Sequence, residues 1–268
     1  MILLNLRIPL KIFCLIIFVA FNASLVHAEV LVTKLLHDFD TSTNQSHLGS
    51  FDIENLGKRP VVLNIIQQDK VDDHALGRVW SNRAWIKLPI NQLRLEPRAK
   101  KNITFKIQSP NNVKTGTYWS SIYVDPVLPV LLPSKIQSEP GKIKFLIQQK
   151  LRYEIQIRTH IGKGEPKLNF SAPKLEKNQS NQKVFGINIK NSGNFHAQTK
   201  VSLEVFRANG QRVGLLQGNT RGLYPGAQKR FEVNVAKLPV GQYKALLLAT
   251  DTKTGRNFGV DVNLNIQP

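Results

Sequence analysis

Six histidines, eighteen carboxylates and a single cysteine are the groups in this 268-residue chain that could do acid–base, nucleophilic or metal chemistry. A zinc or hydrolase site needs several of them at set spacings, as in His-Glu-x-x-His or Gly-x-Ser-x-Gly. Neither pattern occurs. His27, His37, His47, His74, His160 and His196 stand isolated from one another, and Asp72-Asp73-His74 is the one acidic–histidine cluster. That cluster lies in a polar stretch between strand-like runs, where a solvated loop is the expectation. Trp85, Tyr118, Trp119 and Tyr123 sit inside strand-like runs and are expected in packing, not in base stacking. The reading is a non-enzymatic chain with no cofactor and no metal site.

The first residues carry the pattern of an export signal. Arg7 and Lys11 precede an apolar run from Ile12 to Phe21, and Val26-His27-Ala28 offers small residues for cleavage before Glu29. A run of about ten residues falls short of the ~20 a spanning helix needs. Residues 1–28 are therefore expected to be a signal peptide, and the remainder an exported protein that is not embedded in a membrane. Cys14 lies within this leader, so the exported part has no cysteine and forms no disulfide.

Formal net charge is +19, of which Arg7 and Lys11 supply two, leaving +17 after cleavage. Such a surface favours an anionic partner. The basic residues are scattered singly, without the dense run of a nucleic-acid arm, so nucleic acid is not expected.

The elements that must position any site are strands. Short runs rich in Val, Ile, Leu, Phe and Tyr recur between Gly, Pro, Asn and Asp clusters, and several alternate apolar with polar. The fold class expected is all-β: two tandem immunoglobulin-like β-sandwich domains. An internal repeat supports this. Ile53-Glu54-Asn55-Leu56-Gly57 is matched by Ile189-Lys190-Asn191-Ser192-Gly193, Leu95-Glu96-Pro97 by Leu223-Tyr224-Pro225, and Lys114-Thr115-Gly116-Thr117-Tyr118 by Pro239-Val240-Gly241-Gln242-Tyr243. The offsets are 136, 128 and 125 residues, so order and spacing are both kept. Domains are expected over 29–160 and 165–268, with the boundary in His160-Ile161-Gly162-Lys163-Gly164-Glu165-Pro166, where two glycines and a proline allow a short hinge. A loop with four prolines between Pro126 and Pro140 is excluded from any central strand. After it, one long strand is expected from Lys142 to Thr159.

Within that strand, Ile143, Phe145 and Ile147 alternate onto one side. As the last strand of the first domain it could present a sheet edge to an extended segment of another chain, or simply fill its own core. Leu95-Glu96-Pro97-Arg98-Ala99-Lys100, the Asn55 turn and Gln149-Lys150-Leu151-Arg152-Tyr153 resemble the PapD-like periplasmic pilus-assembly chaperones, over most of residues 29–160. The resemblance implies a periplasmic chaperone-like protein that binds secreted, pilin-like subunits by strand donation. By that resemblance Ile143, Phe145 and Ile147 are the donated residues, and Arg152, or Lys150, anchors the subunit's terminal carboxylate. An outer-membrane usher is a further partner the resemblance allows. The first strand departs from the family pattern, because Leu31 to Asp40 offers Lys34 at a different spacing in place of the arginine. The alternative is a structural or adhesive two-domain module that binds an anionic envelope component through its charge.

Overall fold

The structure, a computed structural model, describes residues 30–69, 80–128 and 150–267. They form two β-sandwiches in succession. In the first, β1 (Val30–Val32) pairs with β3 (Ser46–Asn55), β3 with β7 (Lys100–Gln108), and β7 with β5 (Ile86–Lys87). The facing sheet runs β2 (Leu36–Thr41), β9 (Tyr153–Ile161), β8 (Gly116–Pro126), β4 (Val61–Gln68), β6 (Gln92–Leu95). Every pairing is antiparallel except β2 on β9, which is parallel from Leu36↔Gln156 to Thr41↔Ile161.

The alternation of apolar residues explains the layers. Phe51, Ile53, Ile103, Phe105 and Ile107 point inward from one sheet, and Leu63, Ile65, Ile122, Val124, Ile155 and Ile157 meet them from the other. Burying each such side chain is worth roughly 1.5–3 kcal/mol, which in a chain without disulfides is the main source of stability. β8 takes in Pro126 as its last residue, opposite Leu63. The other three prolines of that loop lie outside the described residues. The long strand expected from Lys142 begins, within the described residues, only at Tyr153, because Lys150, Leu151 and Arg152 carry no ladder pairing.

The second sandwich places β10 (Leu168–Phe170) and β11 (Lys174–Lys177) beside β12 (Lys183–Asn191), which pairs with β15 (Gln228–Asn234). The facing strands are β14 (Arg212–Leu223), β13 (Ala197–Arg207), β16 (Gly241–Asp251) and β17 (Asn257–Ile266). β14 also touches β15, at Gly218↔Val233. A Cβ at Gly218 would lie 2.7 Å from the Glu232 carbonyl, so only glycine allows this crossing between sheets. Phe185, Ile187, Ile189, Phe231 and Val233 pack against Val201, Leu203, Val205, Leu247 and Ala249.

The sequence repeat is a repeat of hydrogen bonds. Asn55 and Asn191 are both fully buried. Asn55 Nδ2 donates to the Leu95 and Arg59 carbonyls, and Asn191 Nδ2 to the matching Leu223 and Phe195 carbonyls. Their Oδ1 atoms accept from Gly57 N and Gly193 N, at 2.9 and 3.0 Å. Tyr118 Oη donates to the Lys114 carbonyl and Tyr243 Oη to the Pro239 carbonyl, both at 2.9 Å. Each asparagine ties the end of its own strand to the end of a distant one, and each tyrosine closes the turn that leads into its strand, so a single plan closes both sandwiches.

Candidate functional site

Two places collect polar and charged side chains on elements able to hold them. The first is the entry to β9. β2 covers the β9 edge only from Gln156 onward, while β8 pairs the other edge up to Val124↔Tyr153. Just upstream, Lys150 Nζ lies 2.7 Å from Asp125 Oδ1. The Arg152 guanidinium sits 4.0 Å from the Tyr123 ring centroid, with Nη2 3.4 Å from Gln68 Oε1. Both cations are exposed, and each is held by a neighbour within its own sandwich. Leu35, Leu36 and Leu151 beside them are 45%, 44% and 49% exposed, so the entry to β9 is lined with leucine in water. Ile143, Phe145 and Ile147 lie outside the described residues. Asp72, Asp73 and His74 lie there too.

The second place joins the two sandwiches. Alternation on β8 and β9 puts Ile122, Val124, Ile155 and Ile157 into the first core, so Thr117, Trp119, Arg158 and His160 face outward. All four are nevertheless buried, because the second sandwich covers that face. Trp119 packs into the second core, its ring stacked 4.3 Å from that of Tyr224. Tyr224 Oη donates to Gln156 Oε1 at 3.1 Å. Asn194 accepts Thr117 N–H through its carbonyl at 2.8 Å and donates Nδ2 to the Thr115 carbonyl at 2.7 Å. A Cβ on Gly116 would come within 2.7 Å of the Asn194 carbonyl, which fixes how closely the two backbones meet.

At the centre, Arg158 Nε and Nη2 donate to the two Asp38 oxygens at 2.7 and 2.5 Å, a bidentate pair. Arg158 Nη1 lies 3.0 Å from His196 Nε2. His160 Nε2 is 3.1 Å from Asp38 Oδ1, and its Nδ1 is 2.8 Å from Thr117 Oγ1. Burial alone raises the Asp38 carboxyl, but hydrogen bonds from His160 and Arg158, with the guanidinium charge, hold it well below the usual carboxylate range. Burial, then the Arg158 charge, pushes His196 well below the ordinary histidine value. A neutral His196 beside a cation accepts from it, which is the role the Arg158 contact needs.

Asp38, His160 and Thr117 stand in the order carboxylate, imidazole, hydroxyl that nucleophilic catalysis uses. Thr117 is fully buried, however, and its Oγ1 already accepts the backbone N–H of His196 at 2.9 Å. The geometry is that of a latch between the sandwiches and leaves no room for a substrate at the hydroxyl. Among the described residues no group of three or more His, Cys, Asp or Glu is arranged to hold a metal ion.

This cluster corrects the view of the histidines as isolated. His160 meets Asp38 and His196 meets Arg158, the two members of one ion pair at the join between the sandwiches, brought there by β9 and by the turn before β13. A sequence signal did exist. Trp119 is a large apolar residue on the outward parity of β8, and a tryptophan there implies a covered outer face.

No family model matches the chain, and no curated protein matches it. Solved structures do. In one, described as a chaperone–tip adhesin complex in CFA/I fimbriae biogenesis, a chain is 16% identical, with 88% of this chain and 98% of that chain covered and a TM-score of 0.49. The Salmonella enterica SafA pilin in complex with the SafB chaperone gives 10% identity, 88% and 96% coverage, and a TM-score of 0.44. The Pseudomonas aeruginosa CupB2 chaperone gives 11%, 87% and 100%, and 0.42. The proteins this chain is similar to thus include fimbrial chaperones, the group that residues 29–160 resemble in sequence.

Proposed function

We propose that the protein is a periplasmic chaperone-like protein that captures a secreted, pilin-like subunit by strand addition at the entry to β9. Ile143, Phe145 and Ile147 supply the alternating side chains, and Arg152 with Lys150 receives the subunit's carboxylate. The observation that carries this reading is where β2 begins. Its first residue, Leu36, lies opposite Gln156, so upstream of that residue the β9 edge has no described partner on that side. The exposed leucines Leu35, Leu36 and Leu151 surround it. An incomplete sandwich brought there gains backbone bonds and apolar cover together. Asp125 and the Tyr123 ring hold the two cations in place until a carboxylate arrives.

Co-purification from the native envelope tests the reading. The tagged protein is compared with an Ile143→Asp/Phe145→Asp/Ile147→Asp variant whose fold is checked by circular dichroism. The expected result is a small secreted protein that accompanies the wild type through moderate salt and is lost from the folded variant. A partner that binds both forms and leaves as salt screens charge overturns strand capture and favours a basic surface that holds an anionic envelope component.

A further inference from the structure

The two sandwiches end on matched strands, and one of them lacks a cover that the other has. Gly116 and Gly241 occupy the same place in the repeat, with φ of 153° and 154°. Gly116 pairs with Ile161 and Gly241 with Ile266, so Ile155 and Ile157 of β9 correspond to Val260 and Val262 of β17. Ile155 and Ile157 are fully buried, whereas Val260 and Val262 are only half-buried. For Ile157 the cover is β2, which lies parallel along β9 from Gln156 with its own inward residues, His37 opposite Ile157 and Phe39 opposite Thr159. In the second sandwich both strands that precede β12 pair with β12 itself. Among the described residues nothing pairs with the outer edge of β17.

The chemistry at one end of that edge is uneven. Asn265, Ile266 and Gln267 share a cleft of about 210 Å3 with Leu175, Lys177 and Lys183. Lys177 and Lys183 stand directly opposite each other in the β11–β12 register, an unfavourable placement for like charges. The neighbouring carboxylate, Glu176, is taken by Arg230. With a chain charge of +19, a second copy of this chain is repelled from the same place.

We propose that the β17 edge over Asp261–Ile266 binds an extended segment of an acidic partner polypeptide as a parallel strand, in the position that β2 holds on β9. An apolar residue in the place of His37 then covers Val262. A parallel strand ends near Ile266, so its carboxylates lie toward its C-terminal end, where Lys177 and Lys183 receive them. This surface is distinct from the entry to β9 and does not depend on the function proposed there.

The test uses the full exported protein and two synthetic eight-residue peptides with blocked ends. Both alternate Thr with Val or Phe over six residues; one carries two glutamates at its C-terminal end and the other at its N-terminal end. The expected result is about tenfold tighter binding of the first, equivalent to ~1.4 kcal/mol. Amides of residues 257–266 gain protection from hydrogen exchange when it binds. A Lys177→Glu/Lys183→Glu variant, altered only at the surface, loses that preference, and Val260→Lys/Val262→Lys weakens both peptides. Equal affinity for the two peptides, no binding of either, or protection elsewhere overturns the proposal. So does a dimer in sedimentation that protects β17 without peptide.

Discussion

β9 and β17 hold the same position in the two sandwiches, yet β9 is flanked on both edges from Gln156 to Ile161, whereas among the described residues β17 pairs only with β16 and its outer edge is bare. The difference lies in where the leading strands go. In the first sandwich the chain pairs β1 with β3, then crosses to lay β2 on the opposite sheet. In the second, β10 and β11 both stay on β12. The crossing completes the first core by placing His37 and Phe39 against Phe105. It also delivers Asp38, on the other face of β2, to the join between the sandwiches. One six-residue strand thus closes one core and ties that sandwich to the next, and the second sandwich has no described counterpart.

The largest expected effect comes from breaking that second role. Asp38→Ala leaves the Arg158 guanidinium, whose side chain is 9% exposed, without its carboxylate. Orphaning a buried ion costs about 3–5 kcal/mol. Asp38 itself keeps 34% exposure, so solvent screening puts the loss near ~3 kcal/mol. Denaturant unfolding should show it, with the first sandwich separating from the second before either core melts. A single cooperative transition at unchanged midpoint would mean that Trp119 and Tyr224 hold the join without the ion pair.

The next effect separates what the sandwiches share from what they do not. Asn55→Ala and Asn191→Ala each remove a buried amide that bridges the end of one strand to the end of another. Each leaves at least two carbonyls and one glycine N–H without that partner, at about 1–3 kcal/mol per unsatisfied buried group before water compensates. A net loss of ~2 kcal/mol is expected in both, equal within error, by thermal or urea unfolding. If only Asn55→Ala is costly, the repeat is one of shape and not of energetics.

These two predictions mark how far the residues could be read in advance. The sandwich class was legible because alternation in segments such as Ile103–Ile107 admits few other arrangements, and Asn55 and Asn191 announced the repeat through the Asn-x-Gly that follows each strand. The latch was not legible, because Asp38, Arg158 and His196 are brought together by pairing and docking and not by spacing. Nothing local to Leu36–Thr41 marks it as a strand that runs parallel to one over a hundred residues away. The strand expected through Lys150–Arg152 fails for a related reason. Its apolar pattern continues past Val124↔Tyr153, the last rung between β8 and β9, beyond which Asp125 and Pro126 of β8 pair only with β4.

The smallest effect gives the finest comparison. Tyr118→Phe and Tyr243→Phe each delete one hydroxyl that donates to a backbone carbonyl four residues earlier. A net hydrogen bond of this kind is worth ~1 kcal/mol, and the ring packing stays. The rings sit in different company, though. Tyr118 touches Trp80 and Trp85, with centroids 5.2 and 4.7 Å away, and Gly116 just before it meets Asn194 of the other sandwich. A Cβ at Gly241 would first meet the ring of Tyr243, 3.7 Å away. Equal losses of ~1 kcal/mol in thermal unfolding are therefore expected if the corner acts within each sandwich. A markedly larger loss at Tyr118 would show that this corner also sets the backbone approach at Gly116, and so shares with β2 the work of joining the two sandwiches.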